Sequence, residues 1–266
     1  MIEIKKRNGT VIYRHLGGEQ TMAAAVEQAV EDEVDLSGAE LDGADLSRAD
    51  LVEARMVEAS LRGANLSRAN LEACDLSGAD LHEANLRSAN LEDCDLPGAN
   101  LEGAILDNAN LEDTNLLKAR MARVSARGAN FEDANLEGVD LTDANLAGCN
   151  LEDVRLNGAK LTRAVLQRVN LEKFDLAGVD LSGVDLSSSN LEKALLSGAN
   201  LSGANLTSAN FEKADLRGAN LSNANVEHAN FERADLTDAV LTGLRSQGAN
   251  FDRVIGVHNR GSRSRE

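Results

Sequence analysis

From residue 34 to residue 251 the apolar positions fall on a strict period of five, with no insertion or deletion. Each unit reads a small residue, then Asn or Asp, then a large apolar residue, then two variable residues. The large position, here called the centre, runs Leu36, Leu41, Leu46 and so on to Phe251, and Leu fills 35 of its 44 occurrences. The small position, two residues earlier, is mostly Ala, with Cys, Val, Thr or Ser as the common replacements. An apolar pair two residues apart is strand-like alternation, with both side chains on one face. A helix would need spacings of three and four, which a strict five does not supply. A fixed short period marks a solenoid.

A second period lies over the first. Asn recurs every 20 residues from Asn70 to Asn250, Glu follows two residues later from Glu72 to Glu232, and the four Phe centres (Phe131, Phe211, Phe231, Phe251) share that register. Four pentapeptides therefore make one turn with four faces. The expected fold is all-β: a quadrilateral parallel β-helix of about 11 coils. Strands stacked about 4.8 Å apart would make it a rod roughly 53 Å long. A narrow interior accommodates Leu and Ala but little aromatic bulk, and the chain has no Trp and a single Pro, Pro97.

Three segments follow: 1–33, 34–251 and 252–266. In the first, Ile2 and Ile4 alternate with polar residues, Asn8-Gly9 signals a hairpin turn through positive φ, and Val11-Ile12-Tyr13 forms the return strand. Thr21 is placed to N-cap a helix from Met22 to about Glu33, with Met22, Val26, Ala29 and Val30 on one side. A hairpin plus helix reads as a cap over the open solenoid end, where unpaired strand edges invite aggregation. At the other end Val254, Ile255 and Val257 are expected to cover the last coil, followed from His258 by a basic, flexible tail. With the Phe211, Phe231, Phe251 column beneath it, that end is the expected site of a weak homodimer.

The net charge is −17, and it is unevenly spread. Residues 34–153 have 25 acidic and 9 basic residues, whereas residues 154–251 have 11 and 10. On the Phe face, Glu92, Asp93, Glu112, Asp113, Glu132, Asp133, Glu152 and Asp153 form two adjacent acidic columns over four coils. Later in the chain the Asp column becomes Lys173, Lys193, Lys213, Arg233 and Arg253. The acidic stretch carries about one net charge per 1.8 Å of expected axis, against about 1.7 Å in duplex DNA. The eight carboxylates are the candidate partner-binding face. The plainer reading is that they keep a repetitive rod soluble. One irregular patch, Lys118 to Arg127, gathers four basic residues around Met121 and Ala126, either as a drifted repeat that relieves acidic crowding or as a partner contact or hinge.

Chemistry of other kinds is not expected. The histidines His15, His82, His228 and His258 are scattered, none near Cys at metal-ligand spacing. Nothing pairs a nucleophile with a base, so no enzyme activity, cofactor or metal is anticipated. Cys74, Cys94 and Cys149 occupy the small inward position and read as buried hydrophobes, although Cys74 and Cys94 lie one coil apart, within disulfide range. No apolar run approaches a membrane span, and Met1 to Arg7 lacks a signal core, so a cytoplasmic location is expected. An acidic chain is not expected to bind nucleic acid directly.

The Ala-(Asp/Asn)-Leu-x-x unit resembles the pentapeptide-repeat family over about four fifths of the chain. The resemblance implies a right-handed quadrilateral β-helix. It also implies two functions: a protein-interaction scaffold, or, as in the quinolone-resistance members, a duplex-DNA mimic that binds DNA gyrase and topoisomerase IV. Those members commonly carry projecting loops and dimerise through a C-terminal element. Here the frame is unbroken and no long C-terminal helix is evident.

Overall fold

The computed structural model describes residues 1–256 of the 266. Val257, His258 and the expected tail lie outside the described residues. The chain forms two compact units, Met1–Leu166 and Gln167 onward.

The first unit opens with an antiparallel hairpin, β1 (Ile2–Lys5) and β2 (Val11–His15). Its turn is closed by Gly9 N–H to Lys6 O at 2.8 Å, with Gly9 at φ +82°, and the Asn8 side chain accepts from Thr10 N–H at 2.9 Å. Only Gly9 of the Asn-Gly pair uses positive φ. Helix α1 (Met22–Glu31) follows, with Thr21 Oγ1 accepting from Ala24 N–H at 3.1 Å as N-cap. The helix ends two residues before the sequence expectation, because Glu33 adopts φ +55° and Val34 N–H turns back to Ala29 O at 2.9 Å. That left-handed residue satisfies the last carbonyls and stops the helix. Ala25, Val26 and Ala29 are its buried residues, while Met22 and Val30 are half-buried.

Each pentapeptide is mostly a turn. In Leu51–Ala54, Ala54 N–H returns to Leu51 O at 3.1 Å and Glu53 has φ +58°. A four-residue turn with positive φ at its third residue is the type II pattern. Three further bonds tie this unit to the next coil: Leu51 N–H to Asn70 O at 2.7 Å, Glu53 N–H to Glu72 O at 2.8 Å, and Asn70 N–H back to Ala49 O at 2.9 Å. Within both units, bridges pair residue i with i+20 in parallel, so one coil is four pentapeptides. The bridged residue is the Asn/Asp position alone. Extended strands, as the alternation suggested, do not form in the coils, because the turn consumes four residues of every five.

The motif Asn or Asp has a specific task. Its Oδ1 accepts the N–H two residues on, as in Asp45 to Ser47 at 3.1 Å and Asn85 to Arg87 at 3.2 Å. Short polar side chains do this readily, mimicking a backbone turn. The centre Leu and the small Ala point inward; the Leu centres from Leu36 to Leu146 and Phe131 are fully or almost fully buried in the first unit. Each buried Leu contributes roughly 1.5–3 kcal/mol.

The first coil has no preceding coil to receive its outward N–H groups. Glu40 N–H donates to Lys5 O at 2.7 Å beside an antiparallel Lys6↔Ala39 bridge, and Asp50 N–H donates to Glu27 Oε1 of α1 at 2.9 Å.

The second unit repeats the pattern from Asn170↔Asn190 to Asp235↔Ile255. Phe211, Phe231 and Phe251 stack with ring centroids 4.9 and 5.2 Å apart. Phe174 occupies a small position and stays half-exposed, since a ring does not fit where Ala does. Ile255 does not cover the last coil: it occupies the outward bridging position and is 57% exposed, while Val254 is half-buried.

Candidate acidic interaction face

The structure places the eight acidic residues in two columns of the first unit, and the columns differ. Glu92, Glu112 and Glu132 are half-buried, and Glu152 is exposed. Beside them runs a ladder of Asn side chains. Asn110 donates to Asn90 Oδ1 at 3.1 Å, Asn130 to Asn110 at 3.1 Å, and Asn150 to Asn130 at 2.9 Å. Each Nδ2 also donates to the Glu of the coil before: Asn110 to Glu92 at 3.1 Å, Asn130 to Glu112 at 3.1 Å, Asn150 to Glu132 at 3.0 Å. The Glu and Asp columns are not equivalent in what holds them. The first three Glu side chains are fastened to the ladder.

Asp93, Asp113, Asp133 and Asp153 are exposed, at φ values of +58°, +56°, +56° and +52°. Asp tolerates the left-handed region better than most residues because its short polar side chain can bond locally. Their carboxylates have no hydrogen-bond or ion-pair partner among the described residues. Neighbouring coils are joined at these positions by Asp93 N–H to Glu112 O at 3.1 Å and Asp113 N–H to Glu132 O at 2.9 Å.

Crowding of like charge is felt within the site. Burial raises the Glu112 pKa above the ordinary carboxylate value, Glu132, Glu92 and Asp113 raise it further, and the Asn130 hydrogen bond opposes them. Like charges one coil apart repel, and in water with salt this repulsion is weak.

The same register in the second unit is neutralised. Lys193 Nζ lies 2.7 Å from Glu192 and 3.6 Å from Glu172, and Lys213 Nζ lies 2.7 Å from Glu212 and 3.7 Å from Glu192. The Lys193 hydrogen bond accordingly holds Glu192 below its ordinary value, aided by Lys213.

Two of the four basic side chains of the patch are paired internally. Arg120 and Arg123 both close on the Glu102 carboxylate. Asp107 Oδ1 accepts from Ser125 Oγ at 2.6 Å and from Arg127 N–H at 3.1 Å. Met121 and Ala126 are fully buried.

The cysteines are free and buried. The Cys74 and Cys94 thiols donate to Leu51 O at 2.9 Å and Leu71 O at 2.8 Å, and Thr114 continues that column with Oγ1 to Leu91 O at 3.0 Å. His15 is buried with Nε2 3.1 Å from Glu19 O, His82 is half-buried, and His228 is exposed. Among the described residues no group of His, Cys, Asp and Glu could hold a metal ion, and no helix is long and apolar enough to cross a membrane. The sequence reading passed over Arg48, Arg68 and Arg87, which line one pocket; the 20-residue register already stacks Arg48 on Arg68.

The repeat decides the family. The pentapeptide-repeat model matches eight copies, over residues 32–68, 64–103, 104–143, 140–178, 185–223 and 219–255. The chain is a pentapeptide-repeat protein. It is similar to HetL, a pentapeptide-repeat protein involved in heterocyst differentiation regulation from the cyanobacterium Nostoc sp. strain PCC 7120, at 28% identity. That match covers 93% of this chain and 99% of HetL with a TM-score of 0.57. QnrB1, a plasmid-mediated fluoroquinolone resistance protein, is 19% identical over 78% of this chain and 91% of its own, with a TM-score of 0.33. Rfr23, from the cyanobacterium Cyanothece 51142, is 33% identical over 51% and 92%, with a TM-score of 0.18. No curated protein matches. As a pentapeptide-repeat protein this chain adopts the family's right-handed β-helix.

Proposed function

We propose that this chain is a non-catalytic protein-interaction scaffold, a pentapeptide-repeat β-helix of about 11 coils over residues 34–251, acting in the cytoplasm. Its first 33 residues serve as a cap: Lys5 and Glu27 take up N–H groups of the first coil that would otherwise present an open edge. The partner-binding face is the acidic one. One observation supports this. Asp93, Asp113, Asp133 and Asp153 stand exposed and unpaired among the described residues, while the matching cations Lys193 and Lys213 are engaged with Glu. A row of free carboxylates at one-coil intervals suits a basic protein surface, by attraction that salt weakens.

The same row supports a second reading, a duplex-DNA mimic that binds DNA gyrase or topoisomerase IV. A supercoiling and decatenation assay, with and without a quinolone, separates the two. Inhibition or protection that disappears when Asp93, Asp113, Asp133 and Asp153 are all replaced by Lys carries the mimic reading; no effect on either enzyme leaves the scaffold alone. The acidic face itself is tested by capturing partners under crosslinking at low salt. Capture lost on the fourfold Asp→Lys reversal, yet kept on charge reversal of Glu192 and Glu212, supports it. Equal loss in both sets, or in neither, sinks it. The reversed chain should fold as well as the wild type, since Lys already occupies this turn position at φ +61° in Lys173 and +59° in Lys193.

A further inference from the structure

The first unit contains a pocket with no carboxylate among its described lining residues. Arg48, Arg68 and Arg87 line it together with Ser47, Ser67 and Ser88, around an open volume of ≈ 560 Å³. This is unusual in a stretch with 25 acidic residues against 9 basic. Most other arginines of that stretch answer a carboxylate: Arg55 with Asp35, Arg62 with Asp80, Arg120 and Arg123 with Glu102. Arg48 and Arg68 have no carboxylate partner among the described residues. They are exposed, at turn positions with φ +62° and +61°. Arg48 N–H donates to Ser67 O at 3.0 Å and Arg68 N–H to Arg87 O at 2.9 Å, so the three arginines come from consecutive coils. Arg87 lends one Nη to Asp107 at 2.9 Å, which leaves its other donors available.

Like-charged guanidinium groups on neighbouring coils repel each other, and an anion bound among them relieves that repulsion. We propose that this pocket is an oxyanion site for a phosphoryl group. The guanidinium fork matches phosphate oxygens two at a time, and the Ser67 and Ser88 hydroxyls add donors at the rim. The pocket lining includes no large apolar or aromatic side chain, so the phosphoryl group is the only part of a ligand that the site specifies. The setting is solvent-open, so binding is salt-sensitive. This site is separate from the acidic columns and stands or falls independently of them.

The test uses the full chain at low ionic strength, titrated with inorganic phosphate, with O-phosphoserine, and with sodium chloride at matched ionic strength, followed by calorimetry and thermal melting. Saturable one-to-one binding is expected for the phosphate compounds and none for chloride. Arg48→Gln or Arg68→Gln should each weaken it roughly tenfold. Arg62→Gln, whose residue pairs with Asp80 outside the pocket, should leave it unchanged. Tighter binding of phosphoserine than of phosphate would assign the site to phosphomonoesters, and the reverse order to the free ion. Circular dichroism reports folding. If a Gln variant misfolds, Arg48→Lys/Arg68→Lys keeps the charge, loses the fork and should still weaken binding. A response to chloride equal to that of phosphate, or binding unchanged in the folded variants, overturns the proposal.

Discussion

Asn130 and Glu112 are joined across one coil: Asn130 Nδ2 donates to Glu112 Oε2 at 3.1 Å and at the same time to Asn110 Oδ1 at 3.1 Å. Its Oδ1 accepts from Glu132 N–H at 3.2 Å and from Asn150 Nδ2 at 2.9 Å. One half-buried amide therefore uses both of its donors and accepts twice. Asn130→Ala should lower stability by about 1–3 kcal/mol, since it strands partners on both neighbouring coils. Asn130→Asp keeps the acceptor and loses both donors, beside two carboxylates. It should also destabilise, more at neutral than at acid pH. Denaturant midpoints measured at both pH values check this.

The two Glu columns should respond to pH with opposite sign. Glu112 has a raised pKa, so its folded form binds a proton more readily than the unfolded form. Its contribution to stability is present below the ordinary value of 4.5 and is lost as pH rises through the folded value. Glu112→Gln should therefore gain on the wild type as pH rises toward neutral. Glu192 has a lowered pKa, so its contribution is present above 4.5 and is lost as pH falls. Glu192→Gln should lose ground to the wild type at neutral pH and draw level in acid. Thermal melts of both variants across that range test the signs.

The turn position tolerates some residues by conformation alone. Gly198 has φ +68°, and nothing lies within 4 Å of where a Cβ would stand. Substitution there meets strain without a clash. Gly198→Val should cost about 1–2 kcal/mol, whereas Gly198→Asn should be close to neutral. Equal melting temperatures for the two variants would contradict the turn assignment.

The thiols should be silent in the folded protein. Burial pushes the Cys149 thiol up to about 12, and the Cys74 thiol is raised by its contact with Cys94 and by burial. The thiolate is the reactive species. A thiol-reactive reagent near neutral pH should label none of the three on a native timescale and all three in denaturant. Rapid native labelling of Cys74 or Cys94 would show that those coils open.

Much of the local turn chemistry was only half visible. The hairpin's Asn8-Gly9 turn and the Thr21 cap were readable because capping and turn bonds are local and their residue types are few. The end of α1 was not, because nothing in the type of Glu33 announces a left-handed residue. In the coils, the alternation of Ala and Leu suggested strands. The recurring Gly and Asp two residues after many of the centres carried the signature of positive φ that marks a turn instead. Ile255 looked like a cover by hydrophobicity, yet its place in the five-residue frame puts it outside.

The sequence by itself determined the interior. A period of five inside a period of 20 leaves one choice of which side chains point inward, and a narrow stack rewards Leu and Ala at those places. The outward chemistry was decided by the tertiary structure. Glu112 and Asp113 are adjacent in sequence and alike in charge, but an Asn from the next coil holds the first and nothing among the described residues holds the second. Arg48 and Arg123 are alike in type, but Arg123 closes on Glu102 and Arg48 pairs with no carboxylate among the described residues. Each of those outcomes depends on residues about 20 positions away along the chain and one coil away in space. The identity of a side chain sets what it can bond, and only the stacking of coils sets what it meets.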